Sequence, residues 1–136
     1  MTDTKYTDNP QPQCPGGLTW ISPAQIIPAG SVFVVQNDAG AASTGTVTGA
    51  TFGLSSGGDQ VIVYTGTPDA PAFITALSSN AWVTGAQTIC SGSFSKLPAT
   101  LQDSVTAISL STAPGNTGGN TVNGYYNGPQ TGATAE

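Results

Sequence analysis

Short runs of β-prone residues alternate with turn signals along most of this chain, and this alternation restricts the fold more than any other sequence feature. The runs are rich in Val, Ile, Thr and aromatic residues, and Gly, Pro, Asn and Asp separate them. Their spacing is close to the roughly 8–12 residues that sandwiches and barrels show. Only Ala99–Val105, which follows Pro98, admits a single helical turn. The pattern predicts an all-β protein, an antiparallel β-sandwich of about 7–9 short strands.

The predicted strands share β-prone composition and flanking turn residues. They are Leu18–Ile21, Ser31–Asn37, Thr44–Phe52, Gln60–Thr65, Ala72–Leu77, Ala81–Thr84, Thr88–Gly92, Ser104–Leu110 and Thr121–Tyr126. Consecutive apolar residues in Ser31–Gln36 and Val61–Tyr64 predict burial on both faces, as in central strands. In the eighth segment we expect Ile108 and Leu110 to face the core.

The domain boundaries follow from the turn-forming residues. Three prolines and a Gly pair interrupt residues 1–17, which we interpret as an irregular N-terminal arm. Residues 18–127 form the predicted β-sandwich domain. Residues 128–136 are rich in Gly, Thr and Ala and are expected to be a flexible C-terminal tail.

Ionisable side chains are scarce in this chain of 136 residues. It has two Lys, no Arg, no His and seven acidic residues, which give a net charge of −5. Nucleic acid and anionic membranes are therefore poor partners, since both bind clustered basic residues. No apolar run approaches the roughly 18 residues of a membrane-spanning helix. A neutral surface of Thr, Ser, Asn, Gln and Gly packs against copies of itself with little desolvation of charge. We expect a homo-oligomer or polymer, outside the cell or on its surface.

The residue inventory excludes most catalytic machinery. The lack of His rules out a Ser-His-Asp triad, a Cys-His dyad and a His-ligated zinc site. The spacing of the acidic residues does not indicate a converging carboxylate pair, which glycosidases need. We therefore expect a protein that is not an enzyme.

Asp59 is the candidate metal ligand, because it lies between the Gly57–Gly58 pair and the apolar run Val61–Tyr64. One interpretation is a contact to calcium or another ligand. The other is an Asx-type hydrogen bond that fixes the hairpin. Calcium normally takes six or more oxygen ligands, and no Asp-x-Asp pattern occurs here, which favours the second interpretation.

Three aromatic residues are candidates for surface contacts, including stacking on a carbohydrate. Trp82 lies in a short predicted strand, where core packing is the competing interpretation. Tyr125 and Tyr126 are adjacent, and neighbouring strand residues face opposite sides, so one of them is expected to be exposed.

Cys14 and Cys90 are the only cysteines, and they lie 76 residues apart. They form either one disulfide or two unpaired thiols. A disulfide closing so long a loop stabilises the fold by about 4 kcal/mol in the chain-entropy model. The spacing of a CxxC metal or redox site is absent.

A series of short motifs occurs in a recognisable order. They are Leu18–Trp20, Ile27–Gly30, Phe52–Ser55, Gly58–Val61, Tyr64–Gly66, Pro71–Leu77, Leu97–Leu101 and Tyr126–Gly128. In this order they resemble an uncharacterised domain family of bacterial secreted and cell-surface proteins. The resemblance implies an Ig-like or lamin-tail-like sandwich with no established catalytic residues. Compared with that family the chain begins and ends early, which predicts either a fragment of a longer protein or a strand donated by a neighbouring molecule.

Two functional hypotheses remain from the sequence. The leading one is a non-enzymatic structural module of an extracellular layer, filament or matrix, which self-assembles by pairing strand edges and packing neutral surfaces. The alternative is a carbohydrate- or calcium-dependent adhesion module.

Overall fold

The computed structural model describes residues 6–7, 14, 16–28, 30–36, 41–49, 53–55, 58–88, 90 and 94–112. Regular structure within those residues consists of strands alone. The strands are β1 (Leu18–Ile21), β2 (Val35–Gln36), β3 (Ala41–Ala42), β4 (Thr46–Gly49), β5 (Gln60–Thr67), β6 (Ala70–Ser78) and β7 (Ala107–Ser109).

The strands form three small sheets, which confirms the predicted all-β, sandwich-like fold. β1 pairs with β4, and β2 pairs with β3, both antiparallel. The third sheet has the order β5-β6-β7 and contains the two longest strands. Its β5–β6 pair is an antiparallel hairpin, whereas β6 and β7 run parallel.

A bulge in the β5–β6 hairpin decides which aromatic side chain reaches the core. The register steps from the pair Val63–Thr75 to the pair Tyr64–Phe73, so Ile74 is an extra residue on β6. An extra residue reverses the in-out alternation on its strand. Phe73 consequently turns inward, while Ile74 stays 55% exposed.

The core is small and is built against one face of the three-stranded sheet. Its fully enclosed members come from both the sheet and the segment that covers it; they are Ile62, Ala76, Leu101 and Ala107. Partly buried side chains complete it; they are Tyr6, Tyr64, Phe73, Trp82 and Leu97. Tyr6 packs edge-on against Phe73, with ring centroids 5.3 Å apart. The sheet contributes small residues where the covering segment contributes large ones.

Several predicted strands are found, with altered lengths. β1 has the predicted bounds, and β5 and β6 extend the predicted Gln60–Thr65 and Ala72–Leu77. The predicted strand Ala81–Thr84 is wrong, because that segment has no strand pairing. Thr121–Tyr126 and the tail 128–136 lie outside the described residues, as does most of Thr88–Gly92.

The prediction that Ser31–Gln36 is buried on both faces is wrong. Only Val35–Gln36 is a strand, in a two-stranded sheet, and Val32 and Val34 are exposed. In the described residues, no other layer covers both faces of this two-stranded sheet. Phe33 is instead the covered side chain of this segment, stacked on Trp20 at a centroid distance of 4.5 Å.

The prediction that Val61–Tyr64 forms a central strand is also wrong. β5, which contains it, pairs only with β6 in the described part of the chain, and β6 is the central strand. Ile62 is nevertheless completely buried. The apolar run therefore reflects the covered face of the sheet, not a central position in it.

The expected orientation of the eighth segment is reversed for Ile108. Ala107 and Ser109 are buried, whereas Ile108 is 45% exposed and Leu110 is half-buried. The parallel pairing sets Ala107 beside Ala76 on the core face, so Ile108 projects outward. The segment Ala99–Val105, which admits a single helical turn, contains no helix and has hydrogen-bonded turns.

Candidate functional site

The solvent-facing side of the three-stranded sheet carries a row of apolar side chains. Directly paired residues of neighbouring strands project from the same face. Leu77 pairs with Val61 on one side and with Ile108 on the other, so the three side chains form one row. Leu77 is 43% exposed, and Val61 is half-buried. We call Val61, Leu77 and Ile108 the outer row.

The covered face of the same sheet has a polar row beside its apolar one. Gln60, Ser78 and Ser109 pair across the strands, and each is 2% exposed. Ser109 Oγ donates to the carbonyl of Asn80 at 3.0 Å, and the amide of Leu110 donates to the carbonyl of Ser78 at 2.8 Å. Because buried polar groups need such partners, these bonds account for the hydroxyl of Ser109 and the carbonyl of Ser78 in this row.

This arrangement departs from the usual distribution of an antiparallel sheet, which exposes polar residues, because apolar side chains also lie on the outer face. Sequence reasoning missed the outer row because it expected Val61–Tyr64 to be buried on both faces and Ile108 to face the core. The available signal was the run of small residues, Ala76, Ser78, Ala107 and Ser109, at one parity of β6 and β7. Small residues there allow Leu101 and its neighbours to approach the sheet closely.

Asp59 makes hydrogen bonds that fix the margin of the sheet beside β5. Its Oδ1 accepts from the backbone amide of Gln60 at 2.9 Å and from Gln60 Nε2 at 3.0 Å. Its Oδ2 accepts from the backbone amide of Ser55 at 3.1 Å. The backbone amide of Ser79 donates to the Asp59 carbonyl at 2.8 Å. These are local bonds from backbone amides to the carboxylate, but they come from the next residue and from Ser55, not from the amide two residues on that defines an Asx turn.

The opposite margin of the sheet ends in a turn. Ala107 bridges Asp103 in parallel fashion, and the amide of Ser104 donates to the Ala107 carbonyl at 2.7 Å. Ser104 has a φ of 64°, in the left-handed region. Turn residues thus fold back along β7 and occupy its far side.

Trp82 combines a packed ring with a polar contact at the surface. The indole packs partly against the core, and its Nε1 donates to Asp103 Oδ1 at 3.1 Å. Asp103 itself is exposed. The other candidate aromatics, Tyr125 and Tyr126, lie outside the described residues.

Cys14 and Cys90 form a disulfide, which settles the alternative that the sequence left open. Cys14 is completely buried and Cys90 is exposed. The bond ties residue 14 to the segment that precedes Ser95, and Ser95 Oγ accepts from the amide of Tyr6 at 2.9 Å. The described residues before β1 therefore dock on the domain.

An open groove of about 270 Å³ lies apart from this sheet. Pro23, Ile26, Val32 and Phe33 contribute to its lining, which contains no ionisable side chain. Ile26 is 93% exposed. The groove is a second uncharged part of the surface, with both polar and apolar side chains in its lining.

No three His, Cys, Asp or Glu residues lie close enough together to hold a metal ion in the part of the chain that the structure describes. That part also contains no helix long and apolar enough to cross a membrane. No protein-family model, curated protein or solved structure matches this chain.

Proposed function

We propose that this protein is a non-enzymatic structural module of an extracellular layer, filament or matrix, and that it self-associates through sheet margins and neutral surface. The proposal includes an Ig-like or lamin-tail-like sandwich, in line with the sequence motifs. A Cys14–Cys90 disulfide is compatible with an oxidising compartment.

One observation carries the proposal: large apolar side chains are exposed on a surface with very few charges. The exposed apolar residues are Ile21, Ile26, Val32, Val34, Leu54, Ile74, Leu77, Phe94, Val105 and Ile108. The described residues with acidic or basic side chains are Asp59, Asp69, Lys96 and Asp103. Burying apolar surface contributes about 25 cal/mol per Å², and neutral neighbours add little desolvation cost.

Native sizing tests this function. Sedimentation velocity from micromolar to millimolar protein, with negative-stain electron microscopy of the same samples, should show species that grow with concentration. A single monomeric species over the whole range contradicts self-association.

A carbohydrate-binding module is the second candidate, favoured by the Trp82–Asp103 pair. A partly exposed indole can stack on a sugar ring, and the carboxylate beside it can accept hydrogen bonds from the hydroxyl groups of the sugar. A glycan array with and without calcium tests it, with Trp82→Phe as the variant and Trp20→Phe as the control. This candidate requires a hit that Trp82→Phe weakens and Trp20→Phe does not, and a blank array contradicts it.

A further inference from the structure

We propose that the outer row is the contact surface for a second copy of this chain, with the three-stranded sheets of two molecules packed face to face. This inference rests on the proposed self-association and assigns it to one surface. The outer row consists of Val61, Leu77 and Ile108, as defined above.

The chemistry of the face selects a neutral partner. Among the residues that project from this side of the sheet by register are Val61, Val63, Thr75, Leu77 and Ile108, and none of the residues on this side in the register is ionisable. A charged partner therefore gains no ionic contact here and loses hydration where it touches the face.

A second copy of this chain is a neutral partner at this face, although the chain as a whole is acidic. The chain carries a net charge of −5, so two copies repel each other wherever acidic residues meet. A neutral face is where they can approach most closely. The same face on both molecules then forms an isologous contact, as twofold dimers do.

The geometry of the row is self-complementary. Leu77 occupies the central strand, with Val61 and Ile108 on the strands to either side. A twofold axis along the strand direction through this point stacks Leu77 on the second copy's Leu77. It also brings Val61 over the second copy's Ile108. Sheets that pack in this way lie about 10 Å apart, with interdigitated side chains.

The structure at the two edges of this sheet makes its outer face a better contact surface for a second copy than its edges are. Along an antiparallel strand, the backbone N–H and C=O groups of successive residues point alternately toward and away from the partner strand. Because Asp59 bonds to Ser79 on the β6 side, the backbone groups of Gln60 and Ile62 point away from β6, toward the outer margin of β5. There the Gln60 amide donates to Asp59, and Ile62 is completely buried. At the other margin the turn at Asp103 closes on Ala107.

The size of the row sets the expected strength. A stable interface buries about 800 Å² per partner, and a few half-exposed side chains supply only part of that area. We therefore expect a weak contact that forms at high concentration or is multiplied within an assembly.

Paired substitutions test the assignment by sedimentation velocity of the full, disulfide-bonded chain. Leu77→Thr with Ile108→Thr keeps β-prone residues and should raise the dissociation constant about tenfold or more. The matched control, Ile26→Thr with Val32→Thr, alters two more exposed side chains outside the sheet and should raise it less than the outer-row pair does. If the control pair weakens association and the outer-row pair does not, the assignment is overturned while self-association stands. A monomeric wild-type protein would overturn both.

A cross-linking experiment keeps the assignment testable if the outer-row pair fails to fold. Leu77→Cys, with Cys14–Cys90 intact, should give a covalent dimer with a short thiol-reactive bismaleimide, whereas Ile26→Cys should not; Cα atoms about 10 Å apart are too distant for a direct disulfide. Equal dimer yields from the two variants would contradict a contact centred on Leu77.

Discussion

Gly58 shows how a single residue position limits what the loop before β5 can contain. It has a φ of 109°, and a Cβ built there would overlap the side-chain amide of Asn80. Asn80 is 9% exposed, and its Nδ2 has no hydrogen-bond acceptor among the described residues. The side-chain amide of Asn80 therefore occupies the space that a side chain at residue 58 would need, and only glycine leaves this space free.

Gly58→Ala should destabilise the protein by about 2 kcal/mol or more, from backbone strain and displacement of Asn80. Gly85→Ala is the matched control, since nothing lies within 4 Å of its Cβ position, and it should stay within about 1 kcal/mol of wild type. Urea unfolding of both variants checks this. Equal stabilities would contradict the packing of Asn80 on Gly58.

Tyr64 makes stability depend on pH in the alkaline range. Burial raises the pKa of its phenol above the ordinary value of 10.0, because the phenolate is poorly solvated there. Because folding raises this pKa, the contribution of the Tyr64 phenol to the free energy of unfolding is fully present below about pH 10. It is lost as the pH rises through the folded-state pKa. Tyr64→Phe should therefore lose less stability than wild type between pH 8 and about pH 10.5. Parallel losses in urea midpoints would contradict this role.

The bulge on β6 is the feature of an element that most changes the surface. By placing Ile74 between two registers, it turns Phe73 toward Tyr6 and Tyr64. The residues beyond it, Thr75 and Leu77, keep the outward direction that the outer row needs.

Substitutions at the bulge should show that two adjacent apolar residues contribute very differently to the free energy of unfolding. Phe73→Ala should cost about 2–4 kcal/mol because it leaves a gap in the core, whereas Ile74→Ala should stay within about 0.5 kcal/mol. Chemical unfolding monitored by circular dichroism compares the two variants. A larger loss for Ile74→Ala would mean that the bulge lies elsewhere.

The sequence predicts the strand content better than the direction of its side chains. β-prone runs and turn residues located β1, β5 and β6 because these signals are local. The exposure of Leu77 and Ile108 was not predictable in this way. It depends on the bulge at Ile74 and on a parallel pairing between β6 and β7, which joins residues about thirty positions apart, as Ala76 pairs with Ala107.

The candidate site was predictable only as a type of chemistry. The shortage of charge predicted neutral contacts. It did not locate them, because residues of the same β-prone type are buried in one place and exposed in another, as Ile62 and Ile108 are. Asp59 was identified from its place between glycines and an apolar run, and its carboxylate accepts hydrogen bonds from the backbone amides of Ser55 and Gln60. The calcium-dependent alternative stays a prediction for titration.

At the scale of the whole molecule, the disulfide compensates for a small core. Cys14 and Cys90 close a loop with a sequence separation of 76, and the core cluster contains only a few buried side chains among the described residues. A link of this span is worth about 4 kcal/mol through the entropy of the unfolded chain.

Cys14→Ala combined with Cys90→Ala should therefore lower the unfolding free energy by about 3–4 kcal/mol. Wild-type protein treated with reductant should show a similar loss in the same denaturant series. An unchanged urea midpoint for both samples would contradict a stabilising role.

The central claim is that neutral surface, not ionic contact, drives association of an acidic chain. Its most direct test is the association constant of wild-type protein, measured by sedimentation velocity at about 0.01 M and about 1 M NaCl, where the Debye length falls from about 30 to 3 Å. Because salt screens the repulsion between molecules of charge −5 and leaves apolar contacts in place, association should strengthen at high salt. Association that is strong at low salt and lost at high salt would contradict the account.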